Sequence, residues 1–393
     1  MQRRIIALAA LTAAVFSGGV FAAETGGFST TDGNVTTARK FTAATYSEIN
    51  RIIANARFDD AEDRVTAGAY PLHITYTGNE DALIGQIVKD HTKDASGHCP
   101  KPHWDDDYRY VEVKGYTAGI TIEGAEGSSA NFGIVINGGS ENVVVRNMKI
   151  GALGGAAKDA DMIRIDGASN VWIDHNELFA VNNECKDSPD GDLTFEAALD
   201  IKKNSHNITV SYNYIHDSKK VGLDGSSSSD IAGGRSITYH HNYYRNVNAR
   251  LPLQRGGWIH VYNNLYDGIT SSGINVRQKG YALIERNFFE NAVDPVVCFY
   301  DKGSNCGWWD LRGNNIASPA DFATYNVTWT TPTNGDKSAA DWITTAAFPK
   351  ELGYAYETVS PQCLKEKLPL YAGVGKKGAR LSAEHCAAPA SAR

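Results

Sequence analysis

The sequence predicts an all-β solenoid, a parallel β-helix in which each turn of short strands stacks on the turn before it. Six segments repeat one pattern, in which β-branched and aromatic residues lead through an asparagine into further apolar residues. The last two intervals between these asparagines are 22 and 23 residues, a period typical of stacked strands. With 42% hydrophobic and 21% charged residues, the chain has the composition of a globular protein, which excludes disordered and collagen-like classes.

Each repeat is interpreted as two short strands that meet at a bend. The six segments are 142–150, 170–178, 207–215, 236–244, 258–266 and 281–289. The bend residues are Asn176, Asn213, Asn242, Asn264 and Asn287, while Asn147 of the first copy stands one place early. Asparagine suits this position because it tolerates left-handed backbone and its amide can bond the next asparagine in the stack. Longer intervals predict loops inserted at 182–194 and 225–235, where a site is expected.

Both ends of the solenoid are expected to be covered. Residues 45–56 predict an amphipathic cap helix, with a capping box from Thr45 to Glu48 and an apolar stripe of isoleucines. After about residue 315 the repeat gives way to Pro, Thr and Gly, and we expect this loop-rich segment to pack on the side of the coil. The repeat therefore indicates one long domain over 23–393.

The first 22 residues are typical of a cleaved secretory signal. Arg3 and Arg4 precede a short apolar run, and a small-residue cleavage site ends at Ala22. The run is too short for a membrane anchor, and no later stretch is apolar enough to span a bilayer. We therefore expect a secreted protein with no membrane partner.

Export makes disulfide bonds the expected use of cysteine. The six cysteines are Cys99, Cys185, Cys298, Cys306, Cys363 and Cys386. Nearest-neighbour pairing would join Cys298 to Cys306 and Cys363 to Cys386, leaving Cys99 for Cys185, although six cysteines allow many other pairings. No Cys-x-x-Cys spacing favours a metal site instead.

The charges are segregated along the chain. The net charge of −7 argues against binding nucleic acid or another polyanion through the overall field. However, residues 159–200 contain eleven acids and two bases, whereas 201–286 contain eleven bases and five acids. In a stacked coil these are adjacent turns, so a polyanion can meet the basic turns.

The acidic turns predict a site for a hard cation. Asp159 and Asp161 lie two residues apart, on one face of an extended segment, and Glu196 and Asp200 follow on the next turn. Clustered carboxylates with few nearby bases suit Ca²⁺ with coordination positions left open. Solvated faces and scattered ion pairs are the alternative.

The basic turns predict a binding groove opposite the acids. Lys219 and Lys220 are followed by Arg250 and Arg255, two arginines five residues apart around a proline. Their planar, forked guanidinium groups suit carboxylates. Alternatively, one of them pairs with an acid of the preceding turn. For Trp172 and His175, which lie in a strand of the repeat, we expect packing and interior hydrogen bonding rather than catalysis.

At these residues the sequence resembles the secreted pectate lyases of polysaccharide lyase family 1. The resemblance covers nearly all of the mature chain and is most specific in VWIDHN, FEAALDIK, KKVGLDGS, ARLPLQRGG and NVRQ, which begin at residues 171, 195, 219, 249 and 275. It implies a right-handed parallel β-helix and Ca²⁺-dependent β-elimination of polygalacturonate, which leaves a 4,5-unsaturated uronide.

The resemblance also implies roles for individual residues. It gives Asp161, Glu196 and Asp200 as primary calcium ligands, with Asp159 and Asp192 recruited when substrate binds. It gives Arg250 as the base that removes the C5 proton, Lys220 and Arg255 as carboxylate-binding residues, and Lys202, Arg277 and Tyr300 as further subsite residues. Arginine normally holds its proton to about pH 12. Neighbouring cations favour the neutral form, so we expect an alkaline optimum.

Other functions remain open on the sequence. A pectin lyase would lack the calcium acids, and a polygalacturonase-type hydrolase would use paired carboxylic acids around a water. A non-catalytic polysaccharide-binding β-helix would use the arginines for binding alone. The sequence gives no sign of oligomerisation, so we expect a monomer.

Overall fold

The computed structural model describes residues 25–59, 64–98, 108–153, 160–185, 195–300, 305–333 and 335–387. Three sheets of mainly parallel strands run along the coil, and a complete turn contributes one strand to each sheet. The long sheet contains Arg39–Ala43, Leu72–Tyr76, Ile120–Gly124, Glu141–Arg146, Ser169–Asp174, His206–Ser211, Ser236–His240, Trp258–Tyr262, Tyr281–Glu285 and Trp308–Arg312. This arrangement confirms the predicted right-handed parallel β-helix.

The second sheet, here called the groove sheet, carries most of the predicted site. Its strands are Tyr110–Lys114, Gly133–Asn137, Ile163–Asp166, Leu199–Lys202, Leu223–Asp224, Leu253–Arg255, Ile274–Arg277, Val296–Cys298 and Lys337–Ser338. The third, short sheet contains Lys149–Gly151, Glu177–Phe179, Tyr214–His216, Tyr243–Val247, Leu265–Ile269, Phe288–Val293 and Val327–Thr328. A separate antiparallel pair joins Phe58–Asp59 to Arg64–Val65.

A ladder of asparagines lines the bend between the long and short sheets. In each of its steps the amide oxygen of one asparagine accepts both the backbone N–H and the side-chain NH₂ of the asparagine one turn before. The steps are Asn176 to Asn213, Asn213 to Asn242, Asn242 to Asn264, Asn264 to Asn287 and Asn287 to Asn314. This confirms the predicted stacking, and the ladder extends one turn further than the sequence pattern indicated.

The left-handed backbone at the bend was assigned to the wrong residue. In every turn of the ladder it is the residue before the asparagine that has a positive φ, for example +53° at Tyr212 and +51° at His241. Asn147 is one of these left-handed residues, with a φ of +54°, and Met148 takes the ladder position next to Asn176. The asparagine is therefore selected for its amide hydrogen bonds and not for its backbone conformation.

The N-terminal end of the coil is covered by the helix Tyr46–Arg57, which confirms the predicted cap. Ile49 and Ile53 are buried against the first turns. The Thr45 hydroxyl accepts the Glu48 N–H at 3.2 Å, as in a capping box, but the Glu48 carboxylate bonds the N–H of Ala44, one residue before the N-cap. A second helix, Asp81–His91, packs on the early turns.

The C-terminal segment packs on the side of the coil, as expected. The helix Pro361–Lys367 buries Leu364 against the short sheet, together with Leu265 and Phe288. The remaining helical segments are Pro319–Asp321, Leu368–Leu370 and Ala383–Cys386. No helix among the described residues has the length and apolar character needed to cross a membrane.

Two of the three disulfide bonds suggested by nearest-neighbour pairing are confirmed. Cys298 is bonded to Cys306, and Cys363 to Cys386. Cys185 is also disulfide-bonded, while Cys99 lies outside the described residues. The predicted signal at 1–22 lies outside them as well.

Candidate functional site

One outward-facing row of the groove sheet carries three cations. Arg255 is the direct register partner of Arg277 on the next strand. Lys202 lies in the same row two strands earlier, because Ile201 and Gln254 pair with the same residue of the intervening strand. Adjacent parallel strands are about 4.8 Å apart, so the row presents positive charges at intervals of roughly 5–10 Å along the coil.

The predicted acids Asp161 and Asp200 lie beside this row, and both form ion pairs with Lys202. Asp161 stands two residues before the strand Ile163–Asp166, and Asp200 lies within Leu199–Lys202. Lys202 Nζ is 2.9 Å from Asp161 Oδ2 and 3.0 Å from Asp200 Oδ2. The other Asp200 oxygen accepts the N–H of Leu223 at 2.8 Å. The two carboxylates therefore share one ammonium group at the edge of the groove.

Asp161 is the most buried of these acids, with 1% of its surface exposed. Burial, reinforced by the charges of Asp200 and Glu196, raises the pKa of the Asp161 carboxyl to about 7 although Lys202 is adjacent. Its position is fixed from behind, because the Tyr108 hydroxyl donates to its backbone carbonyl at 2.9 Å. The cluster thus holds more negative charge than its lysine neutralises, which favours a further cation.

A second lysine–acid pair links the acids to the basic turns. Lys220 Nζ lies 2.9 Å from Glu196 Oε1, and both side chains are partly exposed. Lys220 also forms a β-bridge with Ala249, the residue before Arg250. The backbone therefore places the Arg250 position directly beside the lysine that contacts Glu196.

Arg250 differs from the other basic residues of the site. Its φ is +69°, a left-handed conformation that several bends of the coil also adopt. The N–H of Gly222 donates to its carbonyl at 2.9 Å, which anchors the backbone. Within the described part of the chain its guanidinium group has no hydrogen bond and no carboxylate partner. Arg250 is therefore available to a bound molecule.

Arg277 extends the site toward the C-terminal turns. Its guanidinium carbon lies 5.3 Å from the centre of the Tyr300 ring, and Tyr300 is 83% exposed. An exposed aromatic ring beside a cation suits a sugar that carries a carboxylate. The structure thus brings together two residues that lie 23 positions apart in the sequence.

The acids fit Ca²⁺ by donor type. Asp161, Glu196 and Asp200 offer the carboxylate oxygens that this cation prefers, and two of them already share a cation in Lys202. Across the described ranges, however, no three His, Cys, Asp or Glu side chains are grouped closely enough to hold a metal. The further predicted ligands Asp159 and Asp192 lie outside those ranges.

The structure places the other described site residues on or beside the groove sheet, and two further candidate side chains lie elsewhere. His175 is buried at the bend that follows the long-sheet strand Ser169–Asp174, where its ring stacks on Tyr212 at 4.9 Å, and Trp172 within that strand donates to the hydroxyl of Ser211. Both packing predictions are confirmed. Arg235, a buried arginine that ends the predicted 225–235 loop, was not among the predicted site residues, because nothing in its sequence context distinguishes it from a surface base.

The chain is similar in sequence to known proteins over almost its whole length. The chain matches the family described as Pectate lyase over residues 4–377. It is 56% identical to Pectate lyase B of Dickeya chrysanthemi over 388 residues, which are 98% of this chain and 100% of that protein. It is 58% identical to Pectate lyase C of the same species, over 93% of this chain and 94% of that one.

Two solved structures are also similar to this chain. Pectate Lyase C from Erwinia chrysanthemi, at pH 9.5 with 30 mM Ca²⁺, superposes with a TM-score of 0.85 at 57% identity, covering 92% of this chain and 99% of that one. An arginine-to-lysine mutant of Pectate Lyase C, solved in complex with pentagalacturonic acid, has a TM-score of 0.84 at 56% identity and the same coverage.

Proposed function

Since this chain belongs to the pectate lyase family and is a lyase of that kind, we propose that it cleaves polygalacturonate by Ca²⁺-dependent β-elimination, with Arg250 as the base. The observation that carries this proposal is the free guanidinium of Arg250, which stands among cations that are tied to carboxylates or to the backbone. A guanidinium group kept unpaired beside an acid cluster fits a group that acts on substrate.

The substrate fits the row of cations. Polygalacturonate carries one carboxylate per sugar, and Lys202, Arg255 and Arg277 offer cations at intervals set by the strand spacing. Lys220 and Arg255 bind the carboxylate of the sugar that reacts. Tyr300, beside Arg277, offers a ring face for a neighbouring sugar. The groove therefore binds an extended polyanion despite the acidic total of the chain.

The reaction removes one proton and breaks one bond. Arg250, in its neutral form, takes the proton from C5, the C5–H electrons form the C4–C5 double bond, and the C4–O bond to the neighbouring sugar breaks. The leaving oxygen takes a proton from solvent. Negative charge develops on the C5 carboxylate in the transition state, and Lys220 and Arg255 stabilise it electrostatically.

Asp161, Glu196 and Asp200 would hold Ca²⁺, with Asp159 and Asp192 as further ligands in the substrate complex. When bound, Ca²⁺ supplies additional positive charge at the uronate carboxylate. The resident contacts of Lys202 and Lys220 keep the acids in position before the cation and substrate arrive.

The test is an absorbance assay. Polygalacturonate with Ca²⁺ should give a steady rise in ultraviolet absorbance from the unsaturated uronide, and EGTA should stop it. Bond cleavage without that absorbance would favour a hydrolase, activity limited to methyl-esterified pectin would favour a pectin lyase, and binding without cleavage would favour a non-catalytic β-helix.

We further propose that the protein is secreted after cleavage of residues 1–22 and acts as a monomer with one domain over 23–393. N-terminal sequencing of the secreted protein should begin at Ala23, and sedimentation should give the mass of one chain. Retention of the first 22 residues or a dimer mass would contradict these proposals.

A further inference from the structure

We propose that Arg235 is a positioning residue for the groove: its buried guanidinium holds the ends of three consecutive groove strands and so fixes the backbone from which Lys202 and Arg255 project. The inference rests on the proposed function, since it concerns the binding of the same polyuronate. Arg235 lies outside the groove surface and does not contact substrate.

The contacts of Arg235 are directed at backbone carbonyls. Its side chain is fully buried, at 0% exposure. Nη1 donates to the carbonyl of Arg255 at 2.7 Å and to that of Asp224 at 3.1 Å, while Nη2 donates to that of Lys203 at 2.6 Å. These carbonyls lie at or just after the ends of the strands Leu199–Lys202, Leu223–Asp224 and Leu253–Arg255. One planar cation therefore joins three turns of the coil.

The pairing between neighbouring strands of the groove sheet is shortest at this place. The strands Ile163–Asp166 and Leu199–Lys202 pair over four residues, but Leu199–Lys202 and Leu223–Asp224 pair at a single position. The next pair of strands, Leu223–Asp224 with Leu253–Arg255, is joined at two positions. Other backbone hydrogen bonds also join these turns, such as that from the Gly225 N–H to the Ile201 carbonyl at 2.8 Å. The hydrogen bonds from Arg235 add to them at the ends of the strands, where the pairing is shortest.

Asp230 completes the clamp from the exposed loop. One of its carboxylate oxygens accepts Arg235 Nη2 at 2.7 Å, and the other accepts the N–H groups of Lys203 and Ser226, each at 2.8 Å. The carboxylate neutralises the buried cation and ties the same backbone a second time. A buried arginine with a single paired acid is costly to place, which indicates a specific role for it.

Two glycines make room for Arg235. Gly225 has a φ of +103°, and a Cβ there would lie 2.9 Å from Arg235 Nη1 and 2.4 Å from the Asp230 carbonyl. Gly257 has a φ of +68°, and a Cβ there would lie 2.6 Å from the Arg235 carbonyl. Left-handed backbone and close approach both require glycine at these positions. The turns on either side are thus shaped around the arginine.

The clamp determines the spacing of the groove cations. Arg255 is held at both ends, because its own carbonyl binds Arg235 while its guanidinium donates to the carbonyl of Gly225. Lys202 directly precedes the Lys203 carbonyl that Arg235 binds, and its ammonium bridges two acids. If Arg235 is lost, the two turns can shift relative to each other, and carboxylates spaced along the substrate no longer meet both cations.

The experiment compares R235K with R146K. Lysine keeps the charge but cannot donate to three carbonyls at once. Arg146 pairs with Glu123 on the long sheet, away from the groove, and provides the matched control. We expect R235K to raise KM for polygalacturonate at least fivefold with a smaller change in kcat, whereas R146K leaves KM within twofold of the wild type. A KM for R235K within twofold of the wild type would overturn the proposal.

A double-mutant cycle tests the route of action. If Arg235 acts through Arg255, the R235K/R255K variant should lose little more than R255K alone. Losses that multiply would refute this route. D230N, which keeps the arginine and its carbonyl contacts, should shift KM in the same direction by a smaller factor, and it replaces R235K in the comparison if that variant does not fold.

A readout independent of activity separates this inference from the proposed function. Amide hydrogen exchange at Lys203 and Arg255 should accelerate in R235K and not in R146K. If the wild type does not cleave polygalacturonate, the proposed function fails while the exchange result still stands. The positioning role alone fails if the wild type cleaves polygalacturonate, R255K is impaired, and R235K matches the wild type. The match would cover both amide hydrogen exchange and the KM for polygalacturonate.

Discussion

Lys202 donates to Asp161 across neighbouring groove strands, with 2.9 Å between Nζ and Oδ2. This ion pair joins the acidic turns to the basic turns, and Asp161 is almost completely buried. A cation that binds these acids must share Asp161 with the lysine. Under the proposed function, binding of Ca²⁺ would therefore depend on this carboxylate.

Substitution of Asp161 tests the proposed calcium site. D161N removes one carboxylate charge at nearly constant volume, and we expect the half-activating Ca²⁺ concentration in the lyase assay to rise at least tenfold. D166N is the matched control, since Asp166 lies on the same stretch and pairs with Lys203 instead. Equal calcium requirements in the two variants would rule out Asp161 as a ligand.

Substitution of Arg250 tests the base. R250K keeps the positive charge but changes the geometry of the proton acceptor, and we expect kcat to fall by about 10²- to 10⁴-fold with little change in KM. R245K, at an exposed position on the short sheet, should keep full activity. An R250K variant that is as active as R245K, or a rate that does not change between neutral and alkaline pH, would remove Arg250 from the role of base.

The asparagine ladder should carry a large share of the stability. N213A removes the acceptor of the Asn176 N–H and two donated hydrogen bonds inside the coil. The buried groups left without partners should lower the free energy of unfolding by about 3 kcal/mol in urea titrations. Asn204 lies in an exposed turn, so N204A should change it by less than about 0.5 kcal/mol. Similar values for both variants would contradict the structural role of the ladder.

Buried histidines should make the fold sensitive to acid. Burial lowers the pKa of His240 to about 3, and it also lowers the pKa of its neighbour His241. Below about pH 6.5 these histidines take up protons in the unfolded chain but not in the folded chain. Their contribution to stability is therefore complete above that pH and is lost as the pH drops toward 3. Between pH 7 and pH 5 we expect His240 to cost about 2 kcal/mol.

Urea titrations of H240Q at the two pH values measure the contribution of His240. The variant should lose less stability on acidification than the wild type, and H98Q, at an exposed position, should behave as the wild type does. Burial raises the pKa of Asp174, but the hydrogen bond and charge of His175 outweigh this effect and lower it to about 2. Asp174 therefore changes the stability only below about pH 4, outside the range from pH 7 to pH 5. An unchanged pH dependence in H240Q would contradict the assignment.

Much of the fold could be predicted from the sequence because a stacked coil repeats the same strand–bend–strand pattern in every turn. Asn213 and Asn242 stand at equivalent bends, so their spacing alone indicated the ladder that the structure shows. The left-handed residue could not be identified in the same way. Tyr212, His241 and Arg286 share that conformation but no side-chain chemistry, so no residue type marks the position.

The site was predicted by residue type but not by contact. The acids and bases were expected on neighbouring turns, and the register confirms that Lys202 and Arg255 share one row. Which lysine meets which acid depends on strand register and loop length, which composition does not reveal. Arg235 shows the same limit, since only the folded coil brings it to three carbonyls that are distant in sequence.

The two ends of the coil determine how such a protein can change in length. At the C-terminal end Lys337–Ser338 runs antiparallel to Val296–Cys298, and the hydroxyl groups of Thr344 and Thr345 accept the free N–H groups of the last long-sheet strand. The opposite end lies under the helix Tyr46–Arg57. A further parallel turn, or a second molecule, thus finds no open strand to extend at these places, so end-to-end fibre growth is blocked. A turn added to this coil would therefore be accommodated between the two covers.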